Sequence, residues 1–264
     1  MRCYLCKSEF RIDSLRMLSD RYQRLINNGN PRDWYECPSC EFMWQENQMT
    51  EKDRKQIYLK YRNHQMRKTT VKEEFERINN IDFPESENKQ RVMWLTQFLD
   101  RPKSMLDIGS GLGVFPHAMR HYVDQIYCVE PDQQSAEFIN KLGMTSIQGF
   151  YPDVRNWLPD ERSFDLITLV HVLEHVQDPI SFLKNIKQHD LTEKGTLFVE
   201  VPDVVEFDYL SQNNDEFNSV HLWFFNASTL DRVLREAGFN AWTIRRKKYS
   251  RRNLSRIMAL CSGK

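Results

Sequence analysis

The 264-residue chain carries 37 basic and 37 acidic side chains, so no net field steers it onto nucleic acid, and its 40% hydrophobic content excludes wholesale disorder. Its length suits one sizeable core plus one small module. No run is apolar for long enough to span a bilayer, and the opening Met1-Arg2-Cys3-Tyr4 starts no signal peptide, so a cytoplasmic location is expected.

Four of the six cysteines form two CxxC pairs, Cys3/Cys6 and Cys37/Cys40, with thirty residues between them, while Cys128 and Cys261 sit in apolar, strand-like stretches. In a reducing compartment this pattern favours metal ligation over disulfides. Four thiolates complete a tetrahedral zinc shell with no open position, so one structural Zn2+ per chain is expected. Redox chemistry is the weaker alternative, because no apolar strand precedes the first pair. Residues 1–48 are read as this zinc-ribbon-like module, with Trp34, Tyr35, Phe42 and Trp44 filling a miniature core or packing on the next domain. Its basic and acidic residues are mixed, leaving no dense basic stripe.

Residues 49–84 mix charged and amide residues with Ile57, Tyr58, Tyr61, Val71, Phe75 and Ile78. They are predicted to form a helical connector or cleft cover, looser near Thr69 and Thr70. Packing is the simpler role for Tyr58 and Tyr61, ligand contact the alternative.

Residues 85–264 alternate helix and strand signals. A helix over 87–99 leads to a strand at Met105–Ile108, a glycine-rich loop at Gly109, Ser110, Gly111, Leu112 and Gly113, and a helix from Val114. A second strand, Gln125–Val129, ends at Glu130, twenty-one residues beyond Gly109. That is where a doubly wound sheet places an acidic group for ribose hydroxyls, a pattern that also suits a nicotinamide enzyme. A helix over Gln133–Leu142 and strands at Met144–Gln148 and Phe164–Val170 follow. Then come His171-Val172-Leu173-Glu174-His175-Val176, a helix opened by Pro179, and a strand at Thr196–Val201. A helix capped at Ser228, with Asp231 as its box partner, should stop at Gly238. Two closing strands, Ala241–Arg246 and Ser255–Cys261, form a hairpin whose segment Arg245–Arg256 holds seven basic residues and no acidic one. A solvated turn is the bland reading of that run, a patch for an anionic acceptor the functional one.

From residue 103 onward, this order resembles the class I S-adenosylmethionine-dependent methyltransferases. The stretch Leu106-Asp107-Ile108-Gly109-Ser110-Gly111-Leu112-Gly113 is similar to their first motif, and His171 to Val176 to the segment after strand four in the small-molecule branch. A dinucleotide fingerprint would want a third glycine where Val114 stands. The resemblance implies an α/β, Rossmann-like sheet of seven strands, the last antiparallel, beside the small four-cysteine module. It implies S-adenosylmethionine as cofactor, bound by Asp107, Gly109, Ser110, Gly111, Gly113 and Glu130, with Phe150 or Tyr151 near adenine and His171 at the cleft. Glu174 and His175 are expected to hold their loop together.

A hydroxyl or carbon acceptor calls for a base. His221, in a segment resembling the acceptor loop of sugar methyltransferases, is the leading candidate, with His171 its competitor. A zinc module ahead of the methyltransferase domain also resembles bacterial sugar C-methyltransferases, although their large additional C-terminal domain is not expected here. A sugar or nucleotide-sugar precursor is therefore the expected acceptor. RNA methylation and a non-catalytic zinc- and cofactor-binding role are the alternatives, and nucleic acid is not an expected partner.

Overall fold

The computed structural model describes residues 1–10, 15–18, 32–45, 50–64, 69–158, 163–210, 216, 220–249 and 254–262; the side chains of some of these, Tyr61 among them, lie outside the description. In the N-terminal part, β1 (Leu15–Leu18), β2 (Arg32–Glu36) and β3 (Met43–Gln45) form an antiparallel sheet. The helices α1 (Glu51–His64) and α2 (Val71–Asn79) follow. Thr70 starts α2 by exchanging hydrogen bonds with Glu73, satisfying two backbone donors that a helix start leaves open.

The main sheet contains β4 (Ser104–Ile108), β5 (Gln125–Glu130), β6 (Thr145–Gln148), β7 (Phe164–Val170), β8 (Leu191–Pro202), β10 (Asn240–Tyr249) and β11 (Leu254–Ser262). Its order is β10-β11-β8-β7-β4-β5-β6, and β11 alone runs against its neighbours. This is the expected α/β sheet. Helices cover both faces, so strand residues are buried alternately to each side. Leu106, Ile108, Ile167, Leu169, Val199 and Val201 join the cluster under α6 (Pro179–His189) and α7 (Ala227–Glu236). Met105, Leu166 and Phe198 face the opposite cluster, under α3 (Glu87–Leu95), α4 (Val114–Met119) and α5 (Gln133–Lys141).

The N-terminal sheet does not end with its own residues. A two-residue strand, β9 (Trp223–Phe224), pairs with β3 as the fourth strand. Phe42 stacks on Trp223 at 5.6 Å and 14°, and the Tyr4 hydroxyl donates to Asp178 at 2.5 Å. The aromatic residues of the small module therefore pack on the larger one as well as on each other.

Local differences from the sequence expectation have physical causes. The cap of α7 is Asn226, which exchanges hydrogen bonds with Thr229; Ser228 lies inside the first turn. Strand β8 begins at Leu191, before Gly195, because its start pairs with Phe164 of β7. In the basic run, Arg256 is buried against Glu216 at 3.0 Å and Arg246 pairs with Asp203, while Arg251 and Arg252 lie outside the described residues.

Arg91 of α3 is buried and forks onto both oxygens of the fully buried Glu200 of β8. Asn88, one turn earlier, accepts from Arg91 and donates to the Val114 carbonyl, tying α3 to the start of α4. Removing one member of a buried pair strands the other charge. Arg91→Met should cost about 3–5 kcal/mol in urea unfolding, and Arg91→Met/Glu200→Gln should recover a large part of it; equal losses in both variants would contradict this role.

Candidate active site

The loop between β4 and α4 places Gly109, Gly111 and Gly113 in the left-handed region, at φ of 74°, 56° and 78°. A Cβ on Gly109 would lie 2.6 Å from Val172, and one on Gly113 would lie 2.7 Å from Ile139, so both positions need glycine for shape as well as dihedral. The loop is pinned from β5: Gly109 and Ser110 donate to the Val129 carbonyl at 2.7 and 3.2 Å. Glu130 accepts from the Gly111 backbone at 2.7 Å and from the Asp132 backbone at 2.9 Å.

Two cavities meet beside this loop. One, about 430 Å³, is lined by Asp107, Gly109 to Leu112, His171 and His221, under Arg77 and Ile78 near the end of α2. The other, about 470 Å³, runs past Val129 and Pro131 to Phe150 and Tyr151. Gly109, Tyr58, His171, His175 and Val220 line both. Helix α1 roofs the junction: Tyr58 contacts the rings of Phe150 and His175, and Lys55 bridges to Asp153 at 2.5 Å.

The sequence candidates thus separate by position. Asp107, Gly109, Ser110, Gly111 and His221 share the first cavity, His171 lies at the junction, and Phe150 and Tyr151 line the second. Glu130 is fully buried behind the loop, outside both linings. The Tyr151 hydroxyl is committed to Asp190 and its ring packs on Phe182.

Electrostatics separate the titratable groups. Burial raises Asp107 to about 7, against the lowering effect of hydrogen bonds from Thr168 and Ser110. His171, at a strained φ of 56°, has Nδ1 at 3.2 Å from Glu174 and Nε2 at 3.3 Å from Glu200. Burial and Arg256 oppose its protonation, but the two carboxylates prevail and raise its pKa. A carboxylate on each nitrogen favours the protonated ring, which bridges the two acidic groups. His175 goes the other way, down to about 4, through burial and then the neighbouring His221. The His175 and His221 rings are 4.7 Å apart, with Nδ1 of each at 2.8 Å from a backbone carbonyl, of Val220 and Glu216 respectively.

Sequence reasoning missed Arg91 and Glu200. The available signal was a lone carboxylate inside the apolar run Leu197-Phe198-Val199-Glu200-Val201, which a buried strand tolerates only with a cation beside it.

The four N-terminal cysteines form a separate cluster, their sulfurs all within 4.8 Å of one another. Cys3 and Cys40 lie 3.7 Å apart, Cys6 and Cys37 3.5 Å apart. Sulfurs at ~2.3 Å from a tetrahedral zinc are about 3.8 Å apart, so the set fits that ion. The two knuckles repeat one geometry: Lys7 and Glu41, each just after its CxxC, adopt φ near 60° and donate backbone N–H to Cys3 and Cys37 carbonyls.

A family model described as a methyltransferase domain matches residues 83–244. None of the curated proteins matches the chain. Among solved structures, the Burkholderia thailandensis 1,6-didemethyltoxoflavin-N1-methyltransferase, with bound 1,6-didemethyltoxoflavin and S-adenosylhomocysteine, is 15% identical with a TM-score of 0.57, covering 88% of this chain and 95% of that one. A Thermotoga maritima S-adenosylmethionine-dependent methyltransferase is 19% identical with a TM-score of 0.56, covering 73% and 94%. The Bradyrhizobium japonicum N-methyltransferase NodS, in complex with S-adenosylhomocysteine, is 11% identical with a TM-score of 0.51, covering 74% and 98%. At these identities the likeness concerns the fold.

The loop geometry separates two glycines of similar φ. Gly113→Ala adds a clash to the strain and should cost about 2–4 kcal/mol, whereas Gly143→Ala, at φ 85° with open space around it, should cost only about 1 kcal/mol. Thermal denaturation of both variants checks the ranking.

Proposed function

Because the chain belongs to the methyltransferase-domain family, we propose that this S-adenosylmethionine-dependent enzyme methylates a small molecule, specifically a hydroxyl or carbon of a sugar or nucleotide-sugar precursor. The observation that carries the reading is the pair of cavities joined at Gly109, His171 and His175 beneath α1 and α2. The cofactor is assigned across both lobes, from Asp107 in one to Phe150 in the other, and the space beside His221 suits an acceptor of modest size. A polymer would need an open basic track, and Arg246 and Arg256 are already paired with carboxylates.

The cofactor, when bound, supplies a methyl group already activated on a sulfonium, so alignment is the protein's main task. The Gly109–Gly113 backbone forms the bed for its amino-acid end, with Asp107 as a buried anion for an ammonium group. Glu130, expected from the sequence to meet the ribose, is fully buried with its oxygens on the Gly111 and Asp132 backbones and serves instead to hold that bed; Phe150 flanks adenine, with Tyr151 setting that wall. At the acceptor end, the Glu216 carbonyl accepts the Nδ1 proton of His221, leaving Nε2 the basic nitrogen. His171 positions this region.

Residues 1–48 are assigned a structural zinc on Cys3, Cys6, Cys37 and Cys40. Metal analysis should find one zinc per chain with those ligands, and its removal should destabilise the β3–β9 pairing; zinc-free protein with unchanged stability would contradict this.

Methyl-labelled S-adenosylmethionine incubated with the protein and a fractionated cell extract should label a small sugar or nucleotide-sugar fraction; label in RNA or protein would overturn the acceptor class. Because Asp107 titrates near 7, a proton competes with a bound ammonium. Cofactor affinity by calorimetry should fall by up to about tenfold per pH unit below 7 and level off above it. Asp107→Asn should bind weakly at all pH values without that slope; a persisting slope would move the titration to another group.

A further inference from the structure

We propose that Glu174, His175 and His221 form a second metal site, for a divalent cation with open coordination positions that take an oxygen of the acceptor. One donor atom from each of the three lies within 4.8 Å of the other two. Bonds of about 2.1 Å draw the donors of one cation to about 3.0–3.4 Å apart, so capture closes a set that is already gathered.

The carboxylate supplies the first reason for an ion. Glu174 is fully buried; its Oε1 is held by His171, and its Oε2 has no hydrogen-bond partner among the described residues. A buried carboxylate oxygen with nothing to accept from is costly, and a cation removes that cost. The histidines supply the second. A carbonyl oxygen can only accept, so the contacts to Val220 and Glu216 place the ring proton on Nδ1 in both His175 and His221 and the basic lone pair of each ring on Nε2. Backbone carbonyls orient metal-ligating histidines in the same way.

Chain placement supplies the third. Glu174 and His175 stand on one turn after β7, and the backbone N–H of Leu222 donates to the Glu174 carbonyl at 2.7 Å, bringing His221 to the same place. His175 and His221 line the cavity, so two imidazoles and one carboxylate leave positions for exogenous oxygen ligands, unlike the closed four-sulfur cluster. A cation there lowers the pKa of a coordinated hydroxyl, whose proton passes to solvent. His221 then acts through the ion as a ligand. The role of the site rests on the small-molecule acceptor reading; its existence does not.

Zinc-loaded full-length protein is titrated with Mn2+, read by electron paramagnetic resonance, and S-adenosylhomocysteine binding is measured on the same samples. The expected result is one Mn2+ per chain, weakened at least tenfold in Glu174→Gln and in His221→Ala, with S-adenosylhomocysteine binding retained. Wild-type protein that binds S-adenosylhomocysteine but no Mn2+, or uptake unchanged in both variants, overturns the metal site and leaves the methyl-transfer reading standing. Mn2+ uptake lost in the variants without S-adenosylhomocysteine binding by any form supports the metal site and counts against that reading. If a variant does not fold, wild-type crystals soaked in MnCl2 decide by anomalous scattering. A peak between Glu174, His175 and His221 supports the site, and its absence there overturns it.

Discussion

The guanidinium of Arg91 is buried, and Glu200 is the carboxylate it grips; Glu200 also meets His171, and His171 meets Glu174. Each charge in this chain is tolerable in the core only because the next one is present. The same contacts hold His171 in a backbone region that residues other than glycine seldom occupy, which sets the turn carrying Glu174 and His175. The floor of the cleft therefore follows from one ion pair reaching across the sheet from α3 to β8.

A second dependency runs from the cysteines. Their knuckles fix the chain around β3, β3 pairs with β9, and the Gln45 backbone donates to the Leu222 carbonyl at 2.9 Å, next to His221. The small module consequently backs the end of the cleft where His221 stands. On the proposed zinc reading, the four-cysteine cluster, far away in sequence, helps to set where His221 stands.

Much of this was legible in the sequence because the chemistry is local. Glycines at 109, 111 and 113 between an apolar strand and a helix admit few conformations, and two CxxC pairs admit few uses. The seven-stranded sheet with its antiparallel last strand came from family resemblance, which the family match and the observed sheet support. What sequence left hidden was non-local. Nothing near Trp223-Phe224 announces a strand, since its partner is β3, and nothing near Arg91 names Glu200. Asn226 was overlooked as a cap because Ser228 and Asp231 offer the same pattern two residues later, and only packing of the helix start distinguishes them.

The central claim is that the two joined cavities are one cofactor-and-acceptor cleft organised by the Gly109–Gly113 loop. The most direct test is a crystal structure with S-adenosylhomocysteine. The account predicts density along that loop, with the amino-acid end beside Asp107 and the adenine against Phe150. Ligand bound elsewhere, or a reversed orientation with adenine beside Asp107, would contradict it.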